Sequence, residues 1–262
     1  MRICILGSGS GGNCTVVSSG STHLLIDCGL PSRRTVAALR GMGIEPGDLA
    51  GIFVSHEHGD HVYGLKPFLK HHRVPVFLSA ATSAGVTVSG VEMRRETFVV
   101  GEDLSLGDLV VTPFPIPHDA ADPCGFLVRG ADALLAHVTD TGCLTEVVKQ
   151  RIRGAHCLVI ESNHDEEMLK VGPYPWDLKQ RVLGRLGHLS NRALADFLLE
   201  DFDGVARTVV LAHLSLKNNH PELARVSARE ALDRRFGGRA SRIELLLTRQ
   251  DAATPVIPVR PD

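Results

Sequence analysis

The feature that most constrains this chain is an H-x-H-x-D-H run that directly follows an apolar, strand-like segment at residues 49–54; the run contains His56, His58, Asp60 and His61. A loop that leaves a strand can direct the first two histidines to one point and the last two residues to a second point nearby. Imidazole binds zinc, iron and manganese alike, and a mixed histidine and carboxylate set favours borderline or hard divalent metals. The run therefore predicts a metal site, for two ions.

The composition describes an ordinary globular chain. Its 262 residues are 44% hydrophobic, and the net charge of −2 provides no global attraction to nucleic acid or membranes. The apolar runs are shorter than a transmembrane helix requires, and the N-terminus is unlike a signal peptide. The six cysteines are scattered without a CxxC pair, which indicates reduced, mostly buried thiols. We therefore expect a cytoplasmic protein with no membrane partner.

Strand and helix patterns follow one another in two successive halves of the chain. Strands are predicted at residues 2–6, 14–18, 22–27, 52–54, 74–78, 97–100, 109–112, 125–128, 134–138, 157–160, 208–211 and 243–247. Helices are predicted at residues 35–42, 62–71, 144–153, 179–186, 192–202 and 221–236. This order indicates an α/β protein of the αββα class, in which two sheets pack face to face with helices outside. Because no linker or strong internal repeat divides the chain, we expect a single domain over residues 1–262, with an extended or flexible tail at about 252–262.

Two metal ions need more ligands than one loop supplies, and three further candidates lie where apolar strands end. His118 follows the strand at 109–112, Asp140 follows the strand at 134–138, and His213 follows the strand at 208–211. A buried strand is a rigid element that can hold such a ligand in place. Taken singly, each would more often be a hydrogen-bonded residue at a strand end, but together they complete the set.

This order of residues resembles the metallo-β-lactamase superfamily over nearly the whole chain. The resemblance implies the metallo-β-lactamase fold, with two mixed β-sheets and helices on the outer faces. It also implies two divalent ions, which zinc, manganese or iron could provide. The first ion is then held by His56, His58 and His118, and the second by Asp60, His61 and His213, with Asp140 bridging the two.

Two further motifs narrow the resemblance to the RNase Z-type phosphodiesterases. Glu161 in E-S-N-H-D and His188 in G-H-L-S-N resemble their Glu and His motifs, which form a relay to the metal-binding aspartate, here Asp60. Longer strings, such as G-S-G-S-G-G-N-C at residues 7–14, are closest to the YycJ/WalJ group, described as 5′-to-3′ DNA exonucleases tied to repair. The resemblance thus implies a metal-bridging hydroxide as nucleophile, Asp60 as its base, and His188, polarised by Glu161, as the acid. A structural ion pair is the alternative for Glu161 and His188.

A nuclease must also hold phosphates, and four cations surround His188 without an intervening acidic residue: Lys179, Arg181, Arg185 and Arg192. We expect them to contact the nucleic-acid backbone. The glycine-rich loop ending at Asn13 offers backbone N–H groups and the Asn13 side chain to a phosphate oxygen. Asp27, which ends a predicted strand, is expected to be structural or to support a ligand.

Three functions remain open at this point. The first is a two-metal DNA exonuclease. The second is a hydrolase of a small phosphodiester, a thioester or a lactone, because the same metal-activated water attacks carbonyl groups. The third is a metal-binding regulatory module without turnover. The segment between His118 and Asp140 is too short for the tRNA-gripping arm of RNase Z, so tRNA processing is disfavoured.

Overall fold

The structure, a computed structural model, describes residues 1–261 and contains two seven-stranded mixed β-sheets. In spatial order, the first sheet consists of β14 (Ile257–Pro258), β1 (Arg2–Gly7), β2 (Cys14–Ser19), β3 (Thr22–Ile26), β4 (Leu49–Phe53), β5 (Val76–Ser79) and β6 (Arg95–Phe98). The second consists of β13 (Glu244–Leu247), β12 (Thr208–Ala212), β11 (Cys157–Glu161), β10 (Ala133–Val138), β9 (Cys124–Gly130), β8 (Leu109–Pro115) and β7 (Leu104–Leu106).

The two sheets repeat one pattern of strand pairing. In the first, β1, β2 and β3 are antiparallel, and β4, β5 and β6 continue from β3 in parallel. In the second, β8, β9 and β10 are antiparallel, and β11, β12 and β13 continue from β10 in parallel. Short turns suffice for the antiparallel strands, whereas each parallel connection needs a longer crossover. The chain therefore consists of two halves with the same topology, although no strong repeat is visible in its sequence.

Helices occupy most of the crossover connections. They are α1 (Ser32–Gly41), α2 (Gly59–Val62), α3 (Leu65–Leu69), α4 (Ala80–Gly85), α5 (Glu146–Ile152), α6 (Glu166–Val171), α7 (Trp176–Leu183), α8 (Asn191–Glu200) and α9 (Pro221–Phe236). Two 3₁₀ turns, Pro46–Asp48 and Gly237–Arg242, complete the helical elements. Within the described residues, no helix has both the length and the apolar character needed to cross a membrane.

Three apolar cores separate four layers. In β1, Ile3 and Ile5 pack between the sheets, whereas the alternate residues Cys4 and Leu6 pack on the outer face. A strand that is buried on both faces has apolar residues at successive positions, as this one does from Ile3 to Leu6. Residues of α1 and α3 cover the first sheet, and residues of α8 and α9 cover the second. The predicted αββα class is thereby confirmed.

The predicted helix at 62–71 is instead two short helices, α2 and α3, which are separated at Gly64. The Gly64 N–H donates to the Cys28 carbonyl at 2.8 Å instead of continuing a helix. A Cβ at this position would lie 2.1 Å from the Leu30 oxygen, so the close approach requires glycine. The break turns the chain immediately after the H-x-H-x-D-H loop.

Other elements differ from the predicted pattern at their boundaries. The helix predicted at 179–186 begins earlier, at Trp176, and four elements, α4, α6, β7 and β14, were not predicted. In the segment predicted as an extended or flexible tail, Ile257 and Val259 are buried, and β14 pairs with β1. Asp262, the last residue of that segment, lies outside the described residues. The segment is ordered because it pairs with the edge of the first sheet, a contact that its proline-containing sequence does not indicate.

Candidate metal centre

All seven predicted ligands lie at one edge of the two sheets, where strands end. The H-x-H-x-D-H loop follows β4, and the other three ligands follow β8, β10 and β12. The backbone turns sharply there, with φ of 58° at Asp140 and 57° at His213. Left-handed φ values in non-glycine residues cost about 1–3 kcal/mol and persist only where surrounding contacts hold them. One such contact is the His213 N–H, which donates to Ser8 Oγ at 2.9 Å.

The first ligand group consists of His56, His58 and His118. His118 Nδ1 donates to the Gly187 carbonyl at 3.0 Å, which leaves the lone pair of Nε2 facing His58. The Nδ1 atom of His58 lies 3.3 Å from that Nε2 atom. Ligand atoms about 2.1 Å from a common ion are separated by about this distance in tetrahedral geometry. The group therefore has the spacing of a three-histidine metal site.

The second group consists of Asp60, His61, Asp140 and His213. His61 Nε2 lies 3.2 Å from Asp140 Oδ2 and 3.5 Å from Asp60 Oδ2. His213 Nε2 lies 3.3 Å from Asp140 Oδ1 and 3.5 Å from Asp60 Oδ2. Two imidazole nitrogens thus face two carboxylates across a space the size of one ion.

In both groups, buried nitrogen atoms without a hydrogen-bond partner indicate that the residues fit a metal ion. His56 Nε2 and His213 Nε2 are buried and have no hydrogen-bond partner among residues 1–261. A buried polar atom without a partner costs about 1–3 kcal/mol, so such atoms in a native site call for a ligand. Three nitrogens in one group, and two nitrogens with two carboxylates in the other, suit zinc, manganese or iron.

The charges of the two groups differ. Burial lowers the pKa of His56 well below its ordinary value, which keeps the ring neutral, as a metal ligand must be. In the second group, burial opposes protonation, yet Asp140 raises the pKa of His213 well above its ordinary value, as Asp27 and Asp140 do for His61. The carboxylates of the second group therefore attract positive charge to this space, and a divalent cation that displaced the protons of the two rings would supply it.

Asp27 and Ser55 lie behind the ligands and fix the orientation of His61. The Ser55 N–H donates to Asp27 Oδ1 at 2.8 Å, and its hydroxyl lies 3.0 Å from both Asp27 oxygens. His61 Nδ1 donates to Asp27 Oδ2 at 2.8 Å, which turns Nε2 toward the second group. Such outer hydrogen bonds fix the tautomer and direction of a ligating histidine.

Glu161 lies at the centre of a second supporting network. Its Oε1 atom accepts from His188 Nδ1 at 2.8 Å and from His213 Nδ1 at 3.0 Å. Its Oε2 atom accepts the Thr141 N–H at 2.7 Å. Although burial raises the pKa of this carboxyl, His188 and His213 more than offset that effect and lower it. The predicted relay from Glu161 to Asp60 would therefore pass through His213, whose Nε2 atom lies 3.5 Å from Asp60 Oδ2.

The predicted phosphate contacts occupy different environments. Asn13 is buried: its Nδ2 atom lies 3.1 Å from Asp60 Oδ2 and 3.0 Å from His61 Nε2, so it holds ligands in place. Arg181 forms an ion pair with Asp119, the residue after His118.

Lys179 donates to the Lys170 carbonyl at 2.7 Å. Arg192 lines a cavity together with Glu166, Glu167 and Glu230, an acidic surrounding that disfavours phosphate. Arg185 is exposed in the loop before His188. Of the four predicted cations, Arg181 and Arg185 are therefore the best placed to meet substrate.

Besides Ser8 and Ser55, two residues beside the site, Asn163 and Asp119, were not predicted from the sequence. Asn163 Nδ2 donates to the His213 carbonyl at 2.8 Å and lies 3.2 Å from His213 Nδ1. Asp119 Oδ1 lies 3.4 Å from His118 Nε2. Asp119 directly follows His118, and Asn163 lies two residues after Glu161. This closeness in sequence to predicted site residues is the one signal that could have indicated them.

Comparisons with known proteins agree with this fold. The family model described as "Beta-lactamase superfamily domain" matches residues 22–214. The chain is 36% identical to exodeoxyribonuclease YycJ of Bacillus anthracis, over 94% of each chain. It is 30% identical to exodeoxyribonuclease WalJ of Streptococcus pneumoniae, over 97% of each chain. The crystal structure of Zn²⁺-bound PqqB from Methylobacterium extorquens superposes with a TM-score of 0.72 at 18% identity, covering 97% of this chain and 100% of that one.

Proposed function

The chain belongs to the metallo-β-lactamase superfamily and is a metal-dependent hydrolase, and on that premise we propose that it is a dinuclear 5′-to-3′ DNA exonuclease. The observation that carries the proposal is the double contact of Glu161, which accepts from both His188 and the ligand His213. This contact joins a candidate proton donor to the metal ligands. The names of the YycJ and WalJ relatives support DNA as the substrate.

The two ligand groups would hold the two ions, with Asp140 between them. Asp140 belongs to the second group, but its charge also reaches the first group. Burial lowers the pKa of His56 and His118, and the Asp140 carboxylate partly offsets that effect. Bound there, two divalent ions would activate a water molecule for attack and neutralise charge on the phosphate. Whether zinc, manganese or iron is used depends on availability as much as on these ligands.

The protein's own residues would move the protons. Asp60 is partly exposed, and Asn13 donates to its Oδ2 atom, so this carboxylate is positioned to accept a proton from the attacking water. His188 Nδ1 donates to Glu161, which leaves Nε2 as the atom available to a substrate, on a ring that is partly exposed. Glu161 raises the pKa of His188 against the effect of burial. A protonated His188 can then protonate the leaving oxygen.

This proposal distinguishes phosphodiesters from carbonyl substrates. A thioester or lactone hydrolase has no strong need for a carboxylate that keeps a histidine protonated beside the ions. A role in DNA repair and a cytoplasmic location remain part of the proposal, since cellular DNA would be the substrate there.

The test uses purified protein loaded in turn with zinc, manganese or iron. Single- and double-stranded DNA of one sequence, labelled at either end, is incubated with it, and a His58→Ala variant serves as the metal-site control. We expect mononucleotides to be released progressively from the 5′ end by the wild type alone. Intact DNA combined with rapid thioester or lactone cleavage would falsify the proposal.

A further inference from the structure

We propose that the exposed face of α7 binds the unpaired bases of a DNA strand beside the metal centre. We call this surface the α7 stripe and define it as Trp176, Gln180 and Leu183 on α7, with Leu186 in the loop that follows. The inference rests on the proposed nuclease function and goes beyond it by naming where a single strand lies. Its apolar members are strongly exposed: Trp176 by 66%, Leu183 by 43% and Leu186 by 55%.

The spacing of these residues places them on one line. Trp176, Gln180 and Leu183 are four and three positions apart, so they share one face of the helix. Val182, on another face, is buried against the protein. Eight residues of helix extend about 12 Å, enough for two to three nucleotides of an extended strand.

The stripe ends at the metal centre. The Leu186 carbonyl accepts the N–H of Asp119, the residue next to the ligand His118, at 3.0 Å. The His188 N–H donates to the Val182 carbonyl at 3.0 Å, so the candidate acid is attached to the last turn of α7. A strand lying along the stripe would therefore lead directly to His188.

The side chains around the stripe suit a nucleic acid better than a second protein. Along α7 and the loop after it, the chain carries three cations, Lys179, Arg181 and Arg185, and one carboxylate, that of Asp177. Arg181 is held toward the His118 side by its ion pair with Asp119. At the other end of the stripe, the Lys217 ammonium lies 5.9 Å from the centre of the Tyr174 ring.

Proteins that bind single strands combine these two kinds of side chain. Bases stack on aromatic and apolar groups while cations follow the phosphates. A duplex keeps its bases stacked inside, so the stripe selects unpaired DNA. An exposed tryptophan with two exposed leucines beside cations matches that requirement.

Trp176 is the single tryptophan of the chain, so its fluorescence reports on the stripe alone. The test titrates metal-free protein with a 5′-phosphorylated single-stranded decamer and, separately, with a blunt duplex of the same sequence. We expect the single strand to quench and shift the Trp176 emission, and the duplex to do so much more weakly. Metal-free conditions keep the DNA intact and make the readout independent of turnover.

The affinity of each variant for a labelled single-stranded decamer is then measured by fluorescence anisotropy. Trp176→Ala should weaken binding about tenfold or more, and Trp176→Phe by less than about threefold, because loss of one base–aromatic contact has this size. Leu183→Ala should weaken binding measurably. Leu223→Ala is the matched control, because Leu223 on α9 is 45% exposed and undergoes the same truncation away from α7.

The results separate this inference from the proposed function. Unchanged affinity in Trp176→Ala, or equal quenching by the duplex, overturns the α7 stripe and leaves the nuclease intact. If the wild type hydrolyses bis-p-nitrophenyl phosphate but binds neither DNA, the DNA assignment fails and the stripe fails with it. A change in Trp176 emission with protein concentration alone would assign this face to a second copy of the chain and also overturn the inference.

Discussion

Asp27 and Asp140 occupy equivalent places in the two halves of the molecule, yet they differ in what they can do. Each follows the strand at which its sheet changes from antiparallel to parallel pairing, β3 in the first half and β10 in the second. Their φ values are 60° and 58°, and both are buried. Both approach the same histidine: Asp27 lies 2.8 Å from His61 Nδ1, and Asp140 lies 3.2 Å from His61 Nε2.

The neighbours of each carboxylate decide its role. The oxygens of Asp27 accept from the Ser55 N–H, the Ser55 hydroxyl and His61, which leaves little capacity for an ion. Asp140 instead faces His61 Nε2 and His213 Nε2, and its Oδ2 atom has no hydrogen-bond partner among residues 1–261. One backbone position thus yields a residue that orients His61 in one half and a candidate metal ligand in the other.

The largest expected effect comes from Asp140→Asn. Phosphodiester hydrolysis should fall by at least about 10⁴-fold, because several kcal/mol of transition-state stabilisation come from ions held at this carboxylate. The rate with labelled DNA and the circular dichroism spectrum are compared with those of the wild type. Near-normal activity in a folded variant would remove Asp140 from the site.

His188→Ala tests the relay that only the second half contains. The rate should fall by about 10²- to 10⁴-fold, the usual value of a general acid, while both ions remain bound. Metal content and turnover are measured on the same sample. Full turnover would show that the Glu161–His188 contact is structural.

Asp27→Asn should cost less than Asp140→Asn. Loss of a carboxylate that orients a ligand lowers metal affinity or activity about 10- to 100-fold. Competition with a fluorescent chelator measures affinity, and Asp122→Asn, which removes a carboxylate from the loop after His118, is the control. A loss as large as that of Asp140→Asn would break the distinction between the two halves.

Glu161→Gln should move the pH profile. Glu161 raises the pKa of His188, and the protonated ring is the active form, so activity is lost as pH rises through that raised pKa. Removing the charge lowers the pKa, so the loss should begin at a lower pH. An unshifted basic limb, with metal content unchanged, would exclude His188 as the acid.

The smallest effect concerns the cations that only the second half places beside the site. Arg185→Ala should weaken DNA binding modestly. The slope of log K against the logarithm of salt concentration should fall by about one, the value for one lost phosphate contact. Arg192→Ala is the comparison, because its acidic surroundings keep phosphate away. Equal effects of the two changes would contradict this placement.

Much of this account could be predicted from the sequence because its signals are local. Buried strands followed by polar residues indicated both sheets and the grouping of Asp140 and His213 with the loop after β4. Other features depend on contacts between distant segments. The burial of Asn13 against Asp60, the contact of Glu161 with His213 and the pairing of β14 with β1 all join residues far apart in the chain. No spacing rule reports such contacts.

The split of the predicted helix at 62–71 has the same origin. Apolar periodicity continues through Gly64, but the approach of Leu30 and Cys28 from another segment ends the helix there. Arg192 was predicted beside the other cations because its neighbours in sequence are basic. Glutamates from α6 and α9 reach it only in the folded chain.

The central claim is that two ions bind here and that Asp140, but not its counterpart Asp27, ligates them. Elemental analysis of the wild type, Asp27→Asn and Asp140→Asn, each dialysed against the same excess of one metal, tests it most directly. The account predicts two ions per chain in the wild type and in Asp27→Asn, and at most one in Asp140→Asn. A single ion in the wild type, or the same loss in both variants, would contradict it.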